Sequence, residues 1–324
     1  MPLPTFSFST TAEDVAAAFA EQIRGKNVLI TGTSINGIGF EAARVLAKYA
    51  NLVIIAGYNS ERLKLSEEAI KKEVPGANIR QLVLDLSSLA AVRKAGAEVN
   101  QYSEPLHVLI HNAAAPVVKY NLTVDGFESQ MAAAHIGPFL LTKLLAPKLL
   151  AARSESYTPR VITVSSELHS FGSLLDLDAV ARPDPAKYAT PGEWYIQAKS
   201  ANILFASELA RRAQGKIHAY SLHPGSIFTN ILQKEETKKD MIAIGTLTAD
   251  GLPNEERWPW KTLGQGAATT LVAAVDTRLN ATPNAFLWDC VEANDKVAPH
   301  CADPETAAKL WTITEELVGE KFTF

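Results

Sequence analysis

Val28-Leu29-Ile30-Thr31-Gly32-Thr33-Ser34-Ile35-Asn36-Gly37-Ile38-Gly39 runs from an apolar, β-branched stretch into a glycine-rich turn, and Phe40-Glu41-Ala42-Ala43-Arg44-Val45-Leu46-Ala47 continues from it as a helix. Strand, glycine turn and helix in that order make an anion site. Glycines let the backbone approach a pyrophosphate, and the first helix amides carry partial positive charge toward it. A glycine turn in an ordinary loop would lack both flanking elements.

Apolar strands recur beyond that unit, near residues 27–31, 52–56, 80–84, 107–111, 160–165, 217–222 and 285–288, with helical segments between them. The alternation predicts an α/β protein: a doubly wound parallel sheet of about seven strands, covered by helices on both faces through right-handed crossovers. One Rossmann-type domain over 25–324 accounts for the length. Residues 1–24 read as an N-terminal extension whose helix, capped by Thr11 and Asp14, runs through Ile23.

Two strand ends and one helix carry candidate chemistry. Arg160-Val161-Ile162-Thr163-Val164 ends in Ser165-Ser166, and His107-Val108-Leu109-Ile110-His111 ends in Asn112-Ala113-Ala114, whose small side chains leave room for a ligand at the carboxyl edge of the sheet. Tyr195-Ile196-Gln197-Ala198-Lys199 places a phenol and an ammonium one helical turn apart. A free phenol titrates near pH ~10, and a neighbouring cation favours its anion, so Lys199 is expected to lower the Tyr195 pKa.

These motifs, in this order, resemble the short-chain dehydrogenase/reductase superfamily, classical type, over about residues 25 to 320. Ser165-Ser166-Glu167-Leu168-His169, the stretch from Tyr195 to Thr229, Phe286-Leu287-Trp288-Asp289-Cys290 and Lys309-Leu310-Trp311 are most similar to the retinol dehydrogenase and WW-domain oxidoreductase branch. The resemblance implies an oxidoreductase that moves a hydride between a nicotinamide cofactor and a small alcohol or carbonyl. It makes Tyr195 the proton donor or acceptor, gives Lys199 the nicotinamide ribose, and sets Ser166 on the substrate oxygen. Cofactor contacts carried over are Gly32, Ser34, Asn36, Gly37, Ile38 and Gly39 in the turn; Tyr58 and Asn59 after the second strand; Asp85 and Leu86 after the third; Asn112, Ala113 and Ala114 after the fourth; and Pro224, Gly225, Ile227 and Thr229 in a Pro-Gly turn. Pairing into a homodimer through the helices after the fourth and fifth strands follows from the same likeness.

Two departures bear on activity. The family's tetrad asparagine is replaced by Ala134, and His135, about 100° around a helix, does not take its role. A nucleotide-binding regulator or scaffold with impaired catalysis therefore stays open beside the enzyme. The glycine turn encloses four residues between Gly32 and Gly37 instead of the usual three, a length found in the retinol-type branch that disfavours the epimerase and dehydratase group. After the second strand, Gly57 is not the acid that an NAD enzyme uses to repel a 2′-phosphate, and Tyr58 replaces the arginine expected of the branch. NADP is preferred over NAD, with Ser34, Asn36, Asn59 and Arg62 available to the phosphate.

Residues 174–193, rich in Asp and Pro, and 231–261, with Trp258-Pro259-Trp260, break the alternation as loops are expected to at a substrate site. His169, Phe171, Leu174, Phe228, Ile231 and Trp258 are the expected pocket wall, which suits a lipophilic or aromatic substrate. A net charge of −4 offers no broad basic surface for nucleic acid. No segment approaches the ~20 apolar residues of a membrane span, and the first 24 residues lack a signal-peptide pattern. Two cysteines without metal spacing and seven scattered histidines indicate no metal site and suit a cytoplasmic enzyme.

Overall fold

In the computed structural model, which describes residues 4–115, 120–187 and 190–324, seven parallel strands and one antiparallel edge strand form a single sheet. The strands are β1 (Asn27–Thr31), β2 (Leu52–Gly57), β3 (Ile79–Val83), β4 (Val108–His111), β5 (Arg160–Val164), β6 (His218–His223), β9 (Phe286–Trp288) and β10 (Val291–Glu292). Their order is β10-β9-β6-β5-β4-β1-β2-β3, with a two-stranded ribbon of β7 (Ser226–Ile227) and β8 (Trp260–Lys261) beside it. The chain reverses its direction of travel across the sheet between β1 and β4, and the glycine turn leaves β1 at that point. Ligands bind at this switch in doubly wound folds.

Both faces of the sheet are buried, because the side chains of each strand alternate between two cores. Leu29 and Leu109 pack into the core under the helices Leu89–Asn100, Gly137–Ala151, Pro191–Ala213 and Pro304–Val318; Val28, Ile30 and Ile110 pack into the other, with Ile38–Leu46 and Leu263–Val275. Phe6, Val15, Phe19 and Ile23 are buried in that second core too. The N-terminal segment packs on the second core, and its expected single helix is two, Ala12–Ala18 and Ala20–Ile23, broken at Phe19.

The eighth strand comes from a two-residue hairpin. Asp289 and Cys290 adopt left-handed φ values of 50° and 68°, the backbone of a tight primed turn, so Val291 and Glu292 fold back on β9. Asp-Cys lacks the glycine that normally signals such a turn. Of the two expected substrate loops, residues 188 and 189 of the first lie outside the described residues, while the second carries a helix at Glu235–Ala243 and returns to the body through β8.

The helices expected to pair two copies carry part of the core beneath the C-terminal helix. Phe139 and Phe205 pack against Trp311 and Phe322, with Phe139 4.8 Å from Trp311 and Phe322 4.9 Å from Trp311 between ring centroids. Among the described residues, no large hydrophobic side chain is exposed on Gly137–Ala151, Pro191–Ala213 or Pro304–Val318.

Candidate active site

Strand β5 and the Pro191–Ala213 helix bring the three catalytic candidates together. Pro191 opens the helix, and the Glu193 carboxylate accepts the Thr190 N–H at 2.8 Å, so the helix starts four residues before Tyr195 and sets its phase. Ser165 Oγ donates to the Lys199 carbonyl at 2.7 Å and locks the helix to the strand end. Ser166 is extended and begins a short turn, its Oγ accepting the Leu168 N–H at 3.2 Å. Its hydroxyl lies near enough to the Tyr195 phenol to favour its ionised form.

Electrostatics depart from the expected direction at Tyr195. Burial pushes the phenol up to about 12, and the nearby Ser166 hydroxyl opposes this only in part. Lys199 does not lower it: Nζ donates to the Val164 carbonyl at 2.8 Å and lies 5.3 Å from the phenol ring centroid, while burial brings the ammonium itself down to about 8. Desolvation therefore sets the direction of the Tyr195 shift.

Around this group the glycine turn is built for close approach. Gly32 has φ +74°, and a Cβ there would stand 2.7 Å from the Ala113 Cα; a Cβ on Gly39 would stand 2.7 Å from the Gly32 carbonyl. Asn112 donates its side-chain amide to the Thr31 and Gly32 carbonyls at 2.9 and 3.1 Å, so it braces the turn from β4. Gly37 is the N-cap of Ile38–Leu46 without any side-chain cap, which leaves the amides at the start of that helix free of side-chain acceptors. A dinucleotide fits these residues: the uncapped amides would meet its pyrophosphate, while Ser166, Tyr195 and Lys199 stand at the same sheet edge.

Other expected contacts divide by what their side chains already do. Asn59 caps its own helix by accepting the Arg62 N–H at 2.9 Å, and Asp85 accepts the Ser87 amide and hydroxyl at 2.9 and 2.6 Å. Tyr58 is 63% exposed, Leu86 is buried, and Ser34, Asn36, Ile38 and Ala114 line the turn and the β4 end without a side-chain bond among those described. Gly225 has φ +98°, with the Lys261 side chain where a Cβ would be; Ile227 lies in β7, and Thr229 donates its N–H to the Ile227 carbonyl at 3.0 Å.

The pocket wall is only partly as expected. His169 is wholly buried, with Nδ1 2.7 Å from the Ser166 carbonyl and Nε2 accepting the Ala298 N–H at 3.3 Å, so backbone occupies both nitrogens and the ring supports the site from beneath. Phe171 and Leu174 are exposed, Phe228 and Ile231 are half-buried, and Trp258 is half-buried with its indole N–H unpaired. Trp260 instead anchors its loop, donating Nε1 to the Asn254 carbonyl at 3.1 Å.

Ala134 lies in a π-turn, Ala132–Ile136, and is buried. Its neighbour His135 packs between Phe139 and Phe205 and bonds Thr314 at 2.8 Å, away from any catalytic task. Sequence reasoning missed the supports behind the Pro-Gly turn. Lys261, with its side chain fully buried, pairs with Asp289 at 2.6 Å, and His223 packs at a tilt against Trp288, 4.3 Å between ring centroids, while accepting the Glu167 N–H at 3.0 Å. Only distant pairing in the sheet brings these residues together, so no local spacing announces them.

Comparisons with known proteins agree with this geometry. The short chain dehydrogenase family matches residues 26–174. The WW domain-containing oxidoreductase of Danio rerio is 35% identical over 94% of this chain and 71% of its own length, and retinol dehydrogenase 12 of Bos taurus is 31% identical over 92% of this chain and 88% of its own. A solved structure of a putative uncharacterized protein from Mycobacterium Paratuberculosis superposes with a TM-score of 0.67 at 29% identity, covering 94% of this chain and 98% of that one. The chain belongs to the short-chain dehydrogenase/reductase family, in the branch of the retinol dehydrogenases and the WW domain oxidoreductase.

Proposed function

We propose that the protein is an NADP(H)-preferring dehydrogenase or reductase that interconverts an alcohol and a carbonyl on a lipophilic or aromatic small molecule. The observation that carries this reading is the meeting of Ser166, Tyr195 and Lys199 at the sheet edge that the glycine turn also faces: Ser165 Oγ ties the Lys199 carbonyl to the strand end at 2.7 Å, and Lys199 Nζ lies 5.3 Å from the Tyr195 ring centroid. When bound, the nicotinamide supplies or accepts the hydride at the carbonyl carbon. Ser166 holds the substrate oxygen. Tyr195, kept as a neutral phenol by burial, gives that oxygen its proton as negative charge develops. Lys199 holds the ribose side of the site and passes a proton toward Tyr195. Because the phenol resists ionisation, reduction is the direction that its resting state favours near neutral pH, and oxidation gains as pH rises.

Support for NADP comes from the end of β2, where Gly57, Tyr58 and Asn59 present no carboxylate to a 2′-phosphate. Exposed Phe171, just before the first loop, and Leu174, Ile244 and Leu252 within the two loops supply apolar surface for a lipophilic substrate. The buried, unpaired thiols Cys290 and Cys301 suit the cytoplasm, the location that accompanies this proposal. No helix among the described residues is long and apolar enough to cross a membrane. Ala134 favours one rival, a nucleotide-binding regulator with impaired catalysis. Titration with NADPH and NADH, followed by A340 decay with a panel of aromatic and aliphatic aldehydes and ketones, separates the two. Preferential NADPH binding with decay is the expected result; binding without decay across the panel supports the rival.

A further inference from the structure

At the end of β5, Ser165 donates its N–H to the Leu222 carbonyl at 2.8 Å, a bond of the strand ladder. The next peptide, which joins Ser166 to Glu167, is held instead by two imidazoles from different elements. His169 Nδ1 lies 2.7 Å from its carbonyl oxygen on Ser166, and His223, the last residue of β6, accepts its N–H from Glu167 at 3.0 Å through Nδ1. Both polar atoms of one peptide group are thus bonded to histidine rings. The His169 backbone N–H adds a bond to the same carbonyl at 3.2 Å.

These partners decide which nitrogen of each ring carries the proton. A carbonyl oxygen only accepts, so His169 Nδ1 donates to it, and Nε2 is the acceptor of the Ala298 N–H at 3.3 Å. In His223 the assignment is reversed: Nδ1 accepts, and the proton sits on Nε2, 3.9 Å from Glu167 Oε1. Neither ring takes a second proton without losing an acceptor bond. Burial opposes that proton, holding His169 below the ordinary range and, with repulsion from Lys261, His169 and Lys296, bringing His223 down to about 3. Packing fixes the rings as well, Phe286 standing 5.3 Å from His169 and Trp288 4.3 Å from His223 between centroids. His300 Nε2 donates to the His169 carbonyl at 3.0 Å, so the stretch from Ala298 to His300 secures His169 from the C-terminal side.

We propose that His169 and His223 are positioning residues, two imidazoles of opposite tautomer that clamp the Ser166–Glu167 peptide and so aim the Ser166 hydroxyl at the substrate oxygen. The inference rests on the dehydrogenase or reductase reading above and goes beyond it by assigning two buried residues outside the group of Ser166, Tyr195 and Lys199. The ψ of Ser166, 153°, is the torsion that sets this peptide plane against the serine side chain. One bond would leave the plane free to rock about it, whereas bonds at both its carbonyl and its N–H give it one orientation. A shift of about 1 Å at a reacting group costs about 10²-fold in rate, so small losses of this clamp are readable in turnover.

Two measurements test it. Imidazole nitrogen NMR of the histidine-labelled full chain at about pH 7 should find the proton on Nδ1 in His169 and on Nε2 in His223; the other tautomer in either ring overturns the clamp. A340 kinetics then compare His169→Leu, His223→Leu, His169→Asn and His223→Asn, each alone and with Ser166→Ala, alongside NADPH titration. Leucine removes the polar atoms, while asparagine keeps a donor near His169 Nδ1 and an acceptor near His223 Nδ1. Each leucine variant should lose about tenfold or more in kcat with NADPH affinity unchanged, and each asparagine variant should recover most of that loss. With Ser166→Ala the leucine substitutions should cost less than about twofold, because the group they aim is gone. Parental kcat in both leucine variants, or the same loss with Ser166→Ala as without it, overturns the clamp. Where a leucine variant no longer binds NADPH, the asparagine variant decides: a tenfold loss with NADPH still bound overturns the clamp. An unsubstituted chain that binds NADPH but reduces no carbonyl of the panel overturns the oxidoreductase reading, and the tautomers still decide whether the two rings hold the peptide.

Discussion

Lys199 is a buried cation whose Nζ has one described partner, the Val164 carbonyl. Its folded-state pKa of about 8 stands below the ordinary 10.5. Between those values the unfolded chain holds a proton that the folded chain has released, so stability rises with pH across that window. Below it the full cost of the buried charge is present. Lys199→Met is therefore expected to stabilise the fold at pH 7 by about 1–3 kcal/mol, a pKa unit being about 1.4 kcal/mol, and to lose that advantage by pH 10.5. The Val164 carbonyl keeps a donor in the variant, because Asn202 Nδ2 bonds it at 3.0 Å. Urea midpoints at the two pH values check this, and an equal gain at both would refute the burial argument. At this scale the catalytic candidates were legible, since Tyr195 and Lys199 follow from a four-residue spacing and Ser166 from a strand end. The direction of the Tyr195 shift was not legible, because burial depends on what packs over the ring rather than on its neighbours in sequence.

The elements that hold the Pro-Gly turn are the β7–β8 ribbon and the Asp289-Cys290 hairpin, joined by the Lys261–Asp289 ion pair. Lys261 has no exposed side-chain surface, whereas Asp289 is partly exposed. Removing the acid leaves a buried cation unpaired. Asp289→Ala should cost about 2–4 kcal/mol in urea melts, and adding Lys261→Met should recover part of it. A single variant within 0.5 kcal/mol of the parent, a size typical of neutral surface changes, would show that the pair holds nothing. Strands β1, β4 and β5 were readable from continuous apolar runs that end in turn residues. β7, β8 and β10 were not, being two-residue pairings made by tertiary contact. The Asp289-Cys290 turn was hidden for another reason: it places left-handed backbone on residues that seldom adopt it.

For the molecule as a whole, the alternation of strands and helices specified the doubly wound sheet, but not how its ends are covered. Trp311 and Phe322 close over Phe139 and Phe205 on the helices expected to pair two copies. Light scattering after gel filtration should give a mass near the chain's 35.0 kDa; twice that mass would show that another face associates. The central claim concerns one proton donor on this scaffold, and Tyr195→Phe tests it most directly. The variant should fold and bind NADPH like the parent, while its A340 decay with the best carbonyl of the panel falls by about 10²–10⁴-fold. Decay at the parental rate in Tyr195→Phe would contradict the account.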